Sequence, residues 1–564
     1  MEKLSKSQKA RTAIRTFKIH ADSLTLQGAY KPSGKAGEKL AESLRLLSPE
    51  IYGSMTDMRV VELKGLEYVI DRMPKGIESC TRIILTAQED FQDTGFEKII
   101  PLKRRRASYA VSSKEMCFVI TRGTSEIYDI LTHITFLNIE AQKIYRQAFN
   151  RVDVMTPEWA ELERVVKDPK EINGEELDQA IWNLSIILGR TYKETRETYD
   201  YLESNRLESK SNSGLFEIIY GIGMRISGEQ GGAENELTVY FTPSLHEMIG
   251  HHKYASLWAV SLKKVICSLG LQDRPIHVIS ANMHSVRNLL YGPGALANNG
   301  DDVPEDLYEM VKCVRDREGL VEEYAGTHGY VFHEDQTGAN IDVNIIDLSH
   351  INQNSIHPAL NLSFDPGLKK LPVIIVIDYA FGTQAFDIMD EFLSPFHNEE
   401  QIISFDIQSI SIMGKAGVLP GKKGDIMLAT AHVLEGTPHN YIVNNDLVEG
   451  DFDEGVDVYS GPMLTVLGTS LQNCDMLERF HSSNWKAVGL EMEGGHYQRA
   501  ISGAIIQGHI PADMKIRYAY YASDNPLISG QTLASGPMGE DGIVPTYMIS
   551  KIILEKIINH DLDE

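Results

Sequence analysis

The sequence predicts an α/β protein of more than one domain, on three observations. Its 564 residues exceed what one ordinary core accommodates. Short apolar segments alternate with stretches of helical spacing, the pattern of layered α/β structure. One such segment, Pro372–Ile377, is apolar without interruption, as suits a strand buried on both faces of its sheet.

Composition narrows the class. A hydrophobic content of 42% with 24% charged residues is that of a folded globular chain. No run of about 18 uncharged apolar residues occurs, so no membrane partner is expected. The basic N-terminus, MEKLSKSQKARTAIRTFKIH, lacks the apolar block of a signal peptide. Cys80, Cys117, Cys267, Cys313 and Cys474 stand far apart without a CxxC pair, which argues for a reducing, cytoplasmic setting. The formal charge is −25, and from Leu371 onward 10 Lys+Arg face 27 Asp+Glu, a balance of −17. Such acidity repels polyanions, so no nucleic-acid partner is expected there.

Three regions follow in order. Residues 1–150 mix helical spacing (RVVELKGLEYVIDRM, TSEIYDILTHITFLNIEAQKIYRQ) with the strand-like TRIILTA and EMCFVITRG. Between them KRRRASY reads as a basic loop, either solvated or an anion patch or phosphorylation site at Ser108. Residues 151–365 form an α/β middle region of unassigned role, opening with EELDQAIWNLSIILGRTYKETRETYDYLE and continuing with the strands NELTVYF, IHVISAN and ANIDVNIIDLS. In LHEMIGHHKY the position four after His246 is Gly250, and His246 and His251 lie about 140° apart round a helix. A two-histidine metal face therefore fails there, and capping or a buried polar cluster is expected. In HVISANMHSVRNLLYGPGA, Asn282, His284 and Arg287 follow a strand's C-terminal end, where they could bind a ligand or cap the next helix.

Residues 366–564 carry the informative pattern. After KKLPVIIVIDYAFG come strands at IQSISIMG, GDIMLATAHVL, GPMLTVLG, AVGLEME and IRYAYYAS, and a closing helix at VPTYMISKIILEKIINH. Three of the strand ends are chemically marked. GKAGVLPGKKGD places glycines where backbone amides can approach a ligand. VGLEMEGGHYQRA sets Glu491 and Glu493 beside Gly-Gly at the start of a helix, either as charges at a helix N-terminus or as ligand-holding groups. YYASDNPL ends a strand in Ser523-Asp524, a site for an acid, base or hydrogen-bond acceptor.

Together and in this order, Gly414, Ala416, Gly417, Leu419, Gly424-Asp425, Glu491-Met492-Glu493 and Ser523-Asp524 resemble the purine nucleoside phosphorylase and nucleosidase superfamily. The resemblance covers roughly 371–564, and SDNPL with the long N-terminal extension looks most like the AMP nucleosidase branch, the methylthioadenosine/adenosylhomocysteine nucleosidases being close behind. It implies a three-layer domain with a central mixed sheet, preceded by a large mixed α/β region. It also implies a purine nucleoside or nucleotide substrate, N-glycosidic bond cleavage, no metal or cofactor, and a homo-oligomer.

By the same resemblance Glu493 would accept from the ribose hydroxyls and Met492 would pack beneath the sugar. Asp524 would protonate, or hydrogen-bond to, purine N7, oriented by Ser523, and Met463 and Leu464 would flank the base. Gly414, Ala416 and Gly417 would line the turn, and Lys415, where relatives carry a small or polar residue, either binds a 5′-phosphate, the favoured reading, or faces solvent. Phosphorylases of this superfamily place an arginine before the glycine turn, where Ile412-Met413 stands here, which favours water as the nucleophile. The glutamate that orients that water in short nucleosidases is matched here by Gln384, with Asp387, Asp390 or Glu391 as substitutes. A neutral amide can position water but cannot take its proton. The alternatives to hydrolysis are therefore a phosphate-dependent phosphorylase and a nucleotide-sensing regulator with little or no turnover.

Overall fold

A computed structural model describes residues 5–559 except 88–90, 92–93, 104–105, 152–153, 169–171, 233–234, 363, 365–369, 399–400, 454 and 529–537. It divides into two compact units, Met1–His251 with Ser470–Met476, and His252–Thr469 with Leu477–Glu564.

In the first unit a six-stranded sheet runs in the order 29–30, 238–241, 82–86, 115–119, 108–112, 97–99. Helix Thr124–Ala148 is buried along nearly its whole length, as its apolar spacing predicts. The segment read as one helix-rich stretch is two helices, Gly174–Leu188 and Tyr192–Glu208. Gly189 ends the first at φ +61°, and Thr191 caps the second in a capping box with Glu194. Ser108 is fully buried and Arg106 is ion-paired with Asp129, so neither forms a solvated loop or an accessible modification site. Arg104 and Arg105 of that stretch lie outside the described residues.

The second unit is built on ten strands: β1 Pro275–Ser280, β2 Tyr330–His333, β3 Val343–Asp347, β4 Val373–Ile377, β5 Asp406–Val418, β6 Ile426–Leu434, β7 Asn440–Ile442, β8 Val458–Thr465, β9 Gly489–Glu491 and β10 Lys515–Asp524. Their order is β2-β3-β4-β1-β5-β9-β8-β6-β7, with β10 paired to both β5 and β6. The pairings β5–β10–β6–β8–β9–β5 therefore close a ring at one end of an otherwise open sheet. Strand β1, which the sequence reading assigned to a middle region ending at 365, lies hydrogen-bonded between β4 and β5. The sheet thus runs across the expected 365/366 boundary, because long-range pairing joins segments that sequence spacing separates.

Alternation along the strands sorts side chains into two apolar layers. Ile279, Ile374, Val376 and Met413 pack with helices α1 Ser285–Asn299, α2 Leu307–Arg315 and α3 Glu318–Gly326, and with the closing helix Ile543–Ile558. On the other face Ser280 Oγ lies 3.0 Å from Tyr497 Oη of helix Gly494–Gln507. The result is a three-layer α/β/α unit. Strand β4 is fully buried at all five residues, as its unbroken apolar sequence requires. No helix among the described residues is long and apolar enough to cross a membrane.

Candidate active site

The marked strand ends meet through β5 and β10. These strands are parallel, and their register advances from Ala416↔Ala522 to Gly417↔Asp524, leaving Ser523 as the extra residue of a bulge. A bulge breaks alternation and re-aims the side chains at a strand end. Here it sets Asp524 opposite Gly417 and puts Ser523 Oγ within hydrogen-bond reach of Asp524 Oδ1 and of the Ala416 carbonyl (3.2 Å), either of which can accept its one proton. Asn525 secures the glycine turn by donating to the carbonyls of Leu419 (3.1 Å) and Gly421 (2.8 Å). Gly424, at φ +92°, and Asp425, whose Oδ2 accepts from Lys422 N at 2.8 Å, close the same turn.

Asp524 is 2% exposed, and among the described residues its Oδ2 has no hydrogen-bond partner. Burial pushes the carboxyl above its ordinary range, and the Ser523 hydroxyl and the Lys415 ammonium offset that only in part. Lys415 itself is exposed while its neighbours Gly414 and Ala416 are buried. The site therefore sets a buried carboxyl of raised pKa beside a solvent-facing cation.

Glu491 and Glu493 sit in different surroundings at the start of helix Gly494–Gln507. Glu491 is buried, and its Oε2 accepts the amide N–H groups of Glu493 (2.6 Å) and Gly494. Its Oε1 accepts from Thr465 Oγ1 (2.5 Å) and lies 3.3 Å from His432 Nδ1, while Thr465 Oγ1 accepts the Gly495 N–H at 3.0 Å. Burial alone would raise this carboxyl, but His432, Thr465 and the Gly494 amide outweigh it and hold it below the ordinary value. Glu491 is thus the buried anchor of helix Gly494–Gln507. The two glycines admit that packing: a Cβ on Gly494 would lie 2.2 Å from Tyr520 Oη, and one on Gly495 2.5 Å from Thr465 Oγ1.

Glu493 is half-buried and reaches the loop after β4, where its Oε1 accepts the Gly382 N–H at 2.9 Å. The same loop carries Tyr379, 40% exposed, whose ring stands 3.5 Å from where a Gly414 Cβ would be. Tyr521 and Asn282 are the polar neighbours of the Tyr379 hydroxyl. One loop therefore touches both the Glu493 carboxylate and the glycine turn beside Asp524. Sequence reasoning missed Tyr379 and Tyr521, although each is an aromatic residue near the C-terminal end of a strand.

Other expected residues sit differently. Gln384 is buried, donates to the Ala339 carbonyl (2.7 Å) and accepts from Phe381 N (3.1 Å), so both ends of its amide are used in holding the loop. Asp387 lies 2.7 Å from His252 Nδ1, and Asp390 and Glu391 are each pushed above the ordinary range by burial. Met463 and Leu464 are both buried neighbours on β8, so alternation points them to opposite faces of the sheet. Met492 is 7% exposed. Asn282 Oδ1 accepts from Ser285 N (2.7 Å) at the start of α1, and Arg287 pairs with Glu322. His284 lies 3.0 Å from Tyr547 Oη and is pushed down to about 4 by burial and by Arg287 and Arg315. In LHEMIGHHKY, His246 Nε2 lies 2.6 Å from the Thr25 carbonyl oxygen, and no cluster of metal-ligating side chains occurs among the described residues.

No curated protein sequence matches the chain. Among solved structures, it is similar to the 5′-methylthioadenosine/S-adenosylhomocysteine nucleosidase of Campylobacter jejuni, at 12% identity over 50% of this chain and 97% of that one, with a TM-score of 0.29. Futalosine hydrolase of Helicobacter pylori gives 11% identity over 51% and 99%, TM-score 0.29. Isoform 2 of uridine phosphorylase from Schistosoma mansoni gives 11% over 51% and 90%, TM-score 0.29. TM-scores this low carry no argument for fold or chemistry. The chain matches the family described as "Family of unknown function (DUF6909)" over residues 38–304 and 308–559, and it belongs to that family.

Proposed function

We propose that the second unit is an N-glycosidase that hydrolyses a purine nucleoside or nucleotide, AMP-like at its 5′ end, and releases the free base. The observation that carries this reading is Asp524, a buried carboxyl raised above its ordinary range, with one oxygen held by Ser523 and the other without a partner among the described residues. Such a group can keep a proton and deliver it to a purine nitrogen. As the C1′–N9 bond breaks, its electron pair passes to the base and the Asp524 proton goes to N7. Water adds hydroxide to C1′, and its remaining proton leaves to solvent. Positive charge builds on the sugar meanwhile, and the Glu493 carboxylate, held by the Gly382 amide, is the group to accept from the ribose hydroxyls and stabilise that charge.

Lys415 fits a 5′-phosphate, being an exposed cation next to the acid in a strongly acidic part of the chain. Ile412 and Met413, where a phosphorylase would hold phosphate, are buried in the core, which supports water as the nucleophile. One observation favours a second reading, a nucleotide-binding regulator without turnover: Gln384 is committed to the loop and Asp387 faces His252, so neither stands ready to activate water.

The test is chromatographic. The full chain is incubated with AMP, adenosine, methylthioadenosine and inosine, with and without phosphate, beside an Asp524→Asn control. Free base without phosphate, absent from the control, supports the hydrolase. A strict phosphate requirement makes it a phosphorylase, and saturable nucleotide binding without free base makes it the regulator.

A further inference from the structure

At the other end of the strand that carries Asp524 there is a cavity. It holds about 130 Å³ and opens where β1, β5 and β10 begin, lined by His277, Gln408, Lys515, Arg517 and Lys556, with Asp513 as the carboxylate among them. Arg517 and Asp524 are seven residues apart on one strand, roughly 23 Å at about 3.3 Å per residue, so this cavity is not part of the candidate active site.

The concentration of cations there is against the grain of the chain. From Leu371 to the end only 10 residues are Lys or Arg, and three of those ten line this one small cavity. The most buried is Arg517, 1% exposed, its Nε donating to Asp446 Oδ2 at 2.7 Å. Lys556 is oriented in the same way by Asp451 at 3.0 Å. Each carboxylate fixes its cation in place. A planar guanidinium with several donors can hold one acceptor and still address another. His277, with Nδ1 2.7 Å from Ser409 Oγ, is buried beside Arg517, whose charge adds to burial in holding the imidazole down at about 3. The volume is well below the 300 Å³ or more of pockets for drug-sized ligands, yet several times the roughly 30 Å³ share of one water.

We propose that this cavity binds a phosphate-sized tetrahedral oxyanion, held by Arg517, Lys515 and Lys556. A nucleotide is too large for it. The inference does not depend on the reading of the active site, since no residue is shared between them.

The experiment is a titration of the full chain with inorganic phosphate against sodium chloride at matched ionic strength, read by thermal unfolding and by the ¹³C-labelled histidine resonance of His277. A saturable rise in Tm with a shift of the His277 signal is expected. Lys515 is exposed and Lys556 half-buried, so the K515Q/K556Q double variant is expected to fold and to weaken the apparent Kd at least tenfold. Lys415→Gln, at the active-site end, should leave that Kd unchanged. No saturable response in the wild type, or an unmoved His277 signal, overturns the proposal. So does a response abolished by Lys415→Gln and untouched in the double variant, because the phosphate then sits in the active site.

Discussion

Glu491 Oε2 accepts the main-chain N–H of Glu493 at 2.6 Å, so one carboxylate of the pair positions the other. That division predicts opposite phenotypes. Glu491→Ala leaves the Glu493 and Gly494 amides, Thr465 and His432 without their buried acceptor, which should cost about 3–5 kcal/mol of stability. Glu493→Gln keeps an oxygen for Gly382 and should leave the unfolding midpoint nearly unchanged, while free-base release falls about 10²-fold. Urea unfolding with parallel assays separates the two. Equal loss of stability in both variants would make Glu493 structural as well.

The raised Asp524 carboxyl has consequences of definite sign. Because its folded pKa lies above the ordinary 3.8, the folded state holds the proton longer than the unfolded one. Its contribution to stability is therefore present below 3.8 and lost as pH rises through the folded value. Asp524→Asn removes this and should raise or preserve Tm at pH 7 while lowering activity about 10²–10⁴-fold. Activity in the wild type should fall on the alkaline side as Asp524 loses its proton. Lys415→Gln removes a charge that favours the ionised form, so that alkaline limb should move to higher pH. A limb unmoved in Lys415→Gln would mean that some other group sets it.

The Gly-Gly pair gives a prediction with its own control. A Cβ on Gly494 would stand 2.2 Å from Tyr520 Oη and 2.4 Å from His432 Cε1, two buried side chains with little room to retreat. Gly494→Ala should destabilise by about 1–3 kcal/mol. Gly503, in the same helix, has nothing within 4 Å of its added Cβ, and Gly503→Ala should stabilise by about 0.5–1 kcal/mol. Calorimetric midpoints moving in the same direction for both would show that helix propensity, not packing, governs this terminus.

Much of this site was legible in the sequence for a physical reason: strand ends punctuated by glycine, carboxylate and proline are local patterns. Gly414–Gly417, Glu491–Glu493 and Ser523–Asp524 could be found that way. The closing of β5, β10, β6, β8 and β9 into a ring could not, since it depends on pairings between residues about 100 apart, such as Met427 with Tyr520. The same limit hid β1, whose partners β4 and β5 come far later in the chain. The position of Ser523 as a bulge residue is likewise a property of two strands together. By contrast the opposed directions of Met463 and Leu464 follow from simple alternation and needed no structure. Tyr379 fell between these cases: its place after a buried strand was visible, but the glycine it faces was not.

Gln384 carries the sharpest test of whether the site can be made more active by restoring a carboxylate. Its Nε2 donates to the Ala339 carbonyl at 2.7 Å, a contact that a glutamate would turn into a repulsion between two acceptors. At 4% exposure the new carboxylate would also lose most of its hydration. Gln384→Glu should therefore destabilise the unit by about 1–3 kcal/mol and leave free-base release no higher than in the wild type. The readouts are the urea midpoint at constant m-value and chromatographic detection of base from AMP. A gain in turnover without loss of stability would mean that residue 384 can leave Ala339 and reach the nucleophilic water. Gln384 would then be the reason for weak hydrolysis rather than a clamp on the loop that positions Tyr379 and Gly382.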